Sequence, residues 1–144
     1  MQVFVIGTAL ETAKILDRLR LNKQIIECQQ ILDALNGKKA WKNHPCTLQY
    51  KEHQEWLENY MNCLSCYMKG DLVQAGRYSY LASRIKPEFH TQDYFNQMKR
   101  RLYTKNNNHY SQWKDLGESQ INWYFVNGEW KYYLNGKKIN KCND

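Results

Sequence analysis

No stretch of this 144-residue chain approaches the roughly 20 consecutive apolar residues needed to cross a bilayer. Its start, Met1-Gln2-Val3-Phe4-Val5-Ile6-Gly7, lacks the basic segment and long apolar run of a secretory signal. No linker, internal repeat or low-complexity tract interrupts the sequence. These absences give no reason to divide the chain or to export it. One domain over residues 1–144 and a cytoplasmic location, with no membrane partner, are the expectations. Cysteines are few and odd in number: Cys28, Cys46, Cys63, Cys66 and Cys142. Without an export signal they read as reduced thiols rather than a disulfide framework. The CxxC at Cys63 and Cys66 has no second copy to complete a zinc site, and it sits inside a helical pattern rather than at a helix start. His53 and His90 lack partners at ligand spacing, so no metal site is expected.

Acidic residues are also short, 14 against 21 Lys and Arg, and the imbalance is uneven. Between residues 95 and 144 nine Lys or Arg face four Asp or Glu, which places +5 of the net +7 in the last third. A face of that sign suits a polyanion. Aromatic side chains reach 14%, with eleven tyrosines and five tryptophans. Interleaved with lysine and arginine, they can stack on bases while phosphates are neutralised. A solvated basic face over a tyrosine-rich core fits the same composition.

The pattern along the chain is mainly helical. Val3 to Ile6 reads as a short strand, and Thr8 with Glu11 has the spacing of a capping box before a first helix near 10–18. Leu21, Ile25, Cys28, Leu32 and Leu35 form an amphipathic stripe ending at Asn36-Gly37. Residues 38–45 read as a basic loop. Trp56, Leu57, Tyr60, Leu64, Tyr67 and Met68 predict a helix over 50–69, and a further helix spans about 72–85 before Pro87. A basic helix over about 91–103 precedes the Asn106-Asn107-Asn108 turn and a short helical piece at 110–115. Near the end, Trp123 to Val126, Asn127-Gly128, then Glu129 to Leu134 is a β-hairpin signature, because Asn-Gly supplies the positive φ angles of a tight turn. The predicted fold is a single-domain, mainly α helical bundle with a small C-terminal β-hairpin.

Three polar constellations stand out. Arg20, Lys23, Glu27 and Gln30 share one ridge of the second helix, a carboxylate flanked by cations that also fits an exposed, ion-paired face. Trp41-Lys42-Asn43-His44-Pro45 sets an aromatic, an amide and an imidazole before a rigid proline. Lys99, Arg100 and Arg101, followed by Lys105 and His109-Tyr110, make a cationic and aromatic cluster suited to phosphate.

Together these features resemble the pyrimidine-dimer DNA glycosylase (endonuclease V) family. The resemblance rests on Leu16-Asp17-Arg18, Leu21, Glu27 and the helix through Leu32; on Trp41 to Pro45; on Lys105 with His109-Tyr110; and on the ending Trp130-Lys131-Tyr132-Tyr133. Residues 69–91 carry little of it. The resemblance implies a mostly helical enzyme with no metal or organic cofactor, acting on damaged duplex DNA as a glycosylase and apurinic/apyrimidinic lyase. In that family the N-terminal α-amine attacks the sugar carbon, giving an imine that leads to strand breakage by β-elimination. An α-amine titrates near about 7.7 to 8, so part of it is neutral and nucleophilic at physiological pH. The nucleophile carried over is Met1, since Gln2 is too large to favour removal of the initiator residue. Glu27 is carried over as the acid/base that stabilises the cationic sugar. Arg20 and Lys23 would steady phosphates, and Trp41, Asn43, His44, Arg100, Arg101, Lys105, His109 and Tyr110 would add nucleic-acid or nucleotide contacts. The phage pattern has an arginine directly before the glutamate, where this chain has Ile26. A non-catalytic nucleotide or nucleic-acid binder on the same scaffold is the alternative, and the sequence fixes neither lesion nor oligomeric state.

Overall fold

The computed structural model describes residues 1–140. Cys142, expected as a reduced thiol, and Lys141 and Asp144, part of the basic balance, lie outside the described residues. The chain groups into two compact units, Met1–Glu88 and Phe89–Asp144.

The first unit is built from five helices and an irregular N-terminal segment. Helices α1 (Ala9–Ile15), α2 (Arg18–Leu35), α3 (Pro45–Gln49), α4 (Gln54–Met68) and α5 (Leu72–Ser83) follow in chain order. Thr8 and Glu11 close the capping box that their spacing predicts: the Thr8 hydroxyl takes the Glu11 N–H, and Glu11 reaches back to the Thr8 N–H at 2.9 Å. Helix α4 is the centre of this unit and packs on α1, α2 and α5. Its Leu57, Tyr60, Cys63 and Leu64 are completely buried, as the helical spacing of the apolar positions predicts. Tyr50, Trp56 and Tyr60 form a stack, with ring centroids 5.5 and 4.9 Å apart. Two boundaries differ from the sequence reading. The short helix α3 stands between the loop expected over 38–45 and the helix expected from 50, because His44 caps it and Pro45 occupies its first turn, where a missing N–H costs nothing.

The second difference is at the start of the chain. Val3 to Ile6 is not a strand: it pairs with none, and the Val5 N–H turns back to the Val3 carbonyl at 3.1 Å. Val3 and Val5 are fully buried, so the backbone between them needs partners away from water. Side chains supply them. Gln24 of α2 accepts the Phe4 N–H and donates to the Gln2 carbonyl at 2.8 Å. The Tyr60 hydroxyl of α4 donates to the Phe4 carbonyl at 3.0 Å, and the Ile6 N–H reaches the Thr12 hydroxyl at 3.1 Å. Gln24 is only 2% exposed, although a glutamine on a helix ordinarily faces solvent.

The second unit joins helix α6 (Gln92–Lys105), a 3-10 turn over Ser111–Leu116 and strands β1 (Ile121–Val126), β2 (Glu129–Leu134) and β3 (Lys137–Ile139). The strands form an antiparallel sheet in the order β1-β2-β3, with Trp123 opposite Tyr132 and Phe125 opposite Trp130. Both Asn-Gly pairs adopt positive φ, at 53° and 77° for 127–128 and at 52° and 79° for 135–136. The expected hairpin is therefore a three-stranded meander, since the second tight turn returns the chain for one more strand. Helix α6 grips the entry to the sheet: Gln97 Nε2 donates to the Ser119 hydroxyl and the Ile121 carbonyl, and Thr104 accepts the Ser119 N–H. Phe89, Tyr94, Phe125 and Trp130 form an aromatic cluster beside it.

The bonds to the N-terminal segment predict an order of stability losses. Tyr60→Phe removes one buried hydroxyl and is expected to cost about 1 to 2 kcal/mol, whereas Gln24→Leu orphans two backbone groups and is expected to cost about 3 kcal/mol or more. Urea denaturation of both variants reads this directly. Equal, small losses would show that the apolar side chains alone hold the segment.

Candidate functional site

The first unit brings the chain end to the ridge of α2. The Gln2 N–H donates to Glu27 Oε2 at 3.0 Å. Covalent geometry then sets the Met1 α-amine about 3 to 3.6 Å from that nitrogen, within one residue of the carboxylate. Arg20 and Lys23 flank Glu27 on the same ridge, Arg20 half-buried and Lys23 exposed. Neither forms an ion pair with Glu27. The i,i+4 pairing that a solvated helix face would show is thus replaced by a bond from the chain end.

Helix α3 and its cap form the other wall. His44 Nδ1 accepts the Cys46 N–H at 3.1 Å, which fixes Nδ1 without a proton and leaves Nε2 as the donor of the neutral ring. Burial, helped by the positive charge of the Met1 amine, lowers the His44 pKa to about 4. Beneath it, burial pushes the Cys46 thiol up to about 12, with the amine charge opposing the rise and Glu27 adding to it. Cys28 on α2 is raised well above the usual thiol range by burial, then by Cys46 and Glu27. These mutual influences bring the Met1 amine, Glu27, His44 and the two thiols into one neighbourhood. Thiols so strongly protonated act as small apolar packing, not nucleophiles. Trp41 stands at the mouth of the loop, 46% exposed, with its ring edge on His44 at 5.6 Å and its backbone at φ 64°. A non-glycine residue in that region is uncommon and carries strain. Asn43 is exposed beside it.

One group in this neighbourhood is unaccounted for. Gln2 is 4% exposed, and both its side-chain Oε1 and Nε2 are buried without a hydrogen-bond partner among the described residues. An orphaned buried amide costs stability, so its presence beside the chain end is a feature to explain. Sequence reasoning gave weight to Gln2 only for its size. Gln24, which positions the segment, it missed altogether; the available signal was a polar residue standing between Leu21 and Cys28 on the apolar stripe.

The remaining expected contacts belong to the second unit. Arg100 Nε donates to the Leu116 carbonyl at 2.9 Å. Arg101, 8% exposed, donates from Nε to Asn122 Oδ1 and from Nη1 to the Ser119 carbonyl. Tyr110 is fully buried and stacked on Trp113, while Lys99 lies over that tryptophan at 5.7 Å. Lys105 and His109 are exposed. Much of the basic cluster therefore ties α6 to its own unit.

The CxxC cysteines lie mid-helix on α4, where burial pushes the Cys63 thiol up to about 12. Among the described residues, the four cysteines are free, and no three His, Cys, Asp or Glu side chains are grouped to hold a metal ion. No helix of the described residues is long and apolar enough to cross a membrane.

The family model of the pyrimidine dimer DNA glycosylases matches residues 1–69, just under half of the chain. The matched residues include the chain end, α2, the Trp41–His44 loop and α4. No curated protein and no solved structure matches the chain significantly.

Two measurements follow from this geometry. Unfolded His44 accepts a proton at ordinary histidine pH and the folded ring resists it, so the unfolded state binds more protons between about pH 6.5 and 4. Stability is expected to be full above that window and to fall as pH drops through it, with the His44 ring resonances titrating near the lower end in NMR spectra. Titration at an ordinary histidine value would contradict the burial of the ring beside the chain end. Gln2→Met removes both orphaned atoms at similar size, and is expected to raise stability by about 1 kcal/mol in chemical denaturation. A loss of stability instead would mean that the amide is paired in solution.

Proposed function

We propose, on the premise that residues 1–69 follow the pyrimidine dimer DNA glycosylase pattern, that this chain is a cytoplasmic DNA-repair glycosylase with AP-lyase activity. Residues 1–144 are taken to act as one endonuclease V-like domain. The observation that carries the reading is the bond from Gln2 N–H to Glu27, which keeps the α-amine of Met1 beside one carboxylate. In the proposed reaction the neutral amine attacks the sugar C1′ of a damaged pyrimidine nucleotide. The base leaves with the electron pair of the N-glycosidic bond and takes up a proton. Glu27 accepts the proton shed by the nitrogen as the ring opens to the imine, and its charge stabilises the cationic sugar on either side of that step. Loss of a C2′ proton then expels the 3′ phosphate, and hydrolysis of the imine frees the amine.

The surroundings support this assignment in specific ways. His44 stays neutral over the physiological range, so it adds no charge to compete with the amine for Glu27 and can donate from Nε2. Arg20 and Lys23, free of ion pairing with Glu27, are positioned to meet phosphates flanking the target nucleotide. Trp41 offers an exposed ring for stacking, and Asn43 an amide for a base edge or phosphate. Exposed Lys105 and His109 serve as backbone contacts, whereas Arg100, Arg101 and Tyr110 contribute by holding the surface that presents them. Flipping a nucleotide costs a few kcal/mol, least at damaged sites, which favours lesions as substrate.

Borohydride trapping on duplex DNA carrying an abasic site or a thymine dimer tests the proposal. A covalent adduct through the N-terminus is expected, abolished by blocking the amine and reduced by about 100-fold or more in rate by Glu27→Gln. Tight DNA binding with neither adduct nor strand cleavage would replace the enzyme with a non-catalytic binder on the same scaffold.

A further inference from the structure

A cavity in the first unit, of about 430 Å³, opens between the C-terminal end of α2, the loop before α3, and the α3–α4 connection. Its lining includes Ala34, which follows Glu27 by seven residues on α2. That is about 10 Å along the helix and nearly the same side, two turns from the chain end. The volume lies in the range that encloses small organic ligands.

The lining sorts into three kinds. Ala34, Leu35 and Leu48 give an apolar floor, and Leu48 is 38% exposed despite it. Lys42 and Lys51 are exposed cations at the rim, and neither has an ion-pair partner among the described residues. Glu52 lines the cavity too but pairs with neither lysine. Thr47 lines the cavity as well, but it is 1% exposed, and its hydroxyl is buried with no hydrogen-bond partner among the described residues. Buried hydroxyls ordinarily find one, within a helix by bonding back to a carbonyl. The Asn43 amide makes no bond among the described residues, while Gln54 Nε2 donates to Asn36 and leaves its own oxygen as an acceptor.

We propose that this cavity binds a nucleoside 5′-phosphate, at a site separate from Met1 and Glu27. Lys42 and Lys51 hold the phosphate, and the Glu52 carboxylate accepts a hydrogen bond from a sugar hydroxyl. The base lies on Leu35 and Leu48 with its edge toward the Gln54 amide oxygen. Two unpaired cations suit an anion, the apolar floor a flat unsaturated ring, and the Gln54 oxygen a ring that carries a donor. A bare phosphate satisfies the first alone. Such a group comes either as a free mononucleotide or as the 5′-phosphorylated end of a strand.

Calorimetric titration of the full chain with adenosine 5′-monophosphate tests the site, with adenosine, inorganic phosphate and a short oligonucleotide with or without a 5′ phosphate as further ligands. Adenosine 5′-monophosphate is expected to bind more tightly than either fragment, and to shift the NMR resonances of Leu35, Thr47 and Gln54. Losing a charge-assisted bond costs roughly tenfold in affinity, so Lys42→Ala with Lys51→Ala is expected to weaken binding by about 100-fold. Both lysines are exposed, so the fold is unaffected, and Glu27→Gln is expected to leave this binding unchanged. Preference for the phosphorylated oligonucleotide over the free nucleotide identifies a strand end as the ligand, and the reverse a free nucleotide; either supports the site. Equal affinity for phosphate alone, undiminished binding in the double variant, or loss of binding in Glu27→Gln overturns it. Because the trapping assay reads the amine and this titration reads the lysines, either proposal can fail without the other.

Discussion

Everything in the first unit that bears on chemistry depends on how the buried chain end is satisfied. An irregular segment packed among helices has no ladder to join, and each unpaired peptide group away from water would cost more than a surface contact returns. Gln24 and Tyr60 resolve this by acting as a substitute strand, taking one N–H and two carbonyls between them. Once Phe4 and the Gln2 carbonyl are fixed, the Gln2 N–H has one direction left, and it meets Glu27. The same constraint that stabilises the fold therefore delivers the first residue to the carboxylate.

The electrostatics follow from that delivery. Burial, helped by the positive α-amine, keeps the His44 ring neutral, and burial, with Glu27 adding a smaller push, keeps the Cys28 and Cys46 thiols protonated. The imidazole and the two thiols beside the chain end are therefore uncharged at neutral pH. Strain and unpaired polarity gather in this part of the unit as well: Trp41 in the left-handed region, the Gln2 amide and the Thr47 hydroxyl. Stability is spent where the α2–α3 wall is shaped, which is the pattern of surfaces that meet a ligand.

The second unit reads differently from its charge count. A run such as Lys99-Arg100-Arg101 suggests a solvated basic stripe, but a helix that must anchor an otherwise irregular segment recruits its long side chains inward. Arg100 and Arg101 bond the carbonyls of Leu116 and Ser119, and Lys99 rests over Trp113. Net charge describes how the whole molecule attracts a polyanion; it does not say which cations meet one.

Periodicity, capping chemistry and turn residues are local, and so the sequence alone determined the helices, the Thr8–Glu11 cap, both Asn-Gly turns and the mainly α character. The Glu27 ridge and the Trp41–His44 loop were visible for the same reason, being short runs of unusual side chains. Helix α3 escaped because five residues are too few to show a period, although His44-Pro45 carried its start signal. What only the tertiary structure decided is which polar groups meet across distant parts of the chain: Gln2 with Glu27, Gln24 with the N-terminal backbone, the amine with His44. A buried hydrogen bond depends on where two surfaces coincide in space, and no spacing along one helix contains that information.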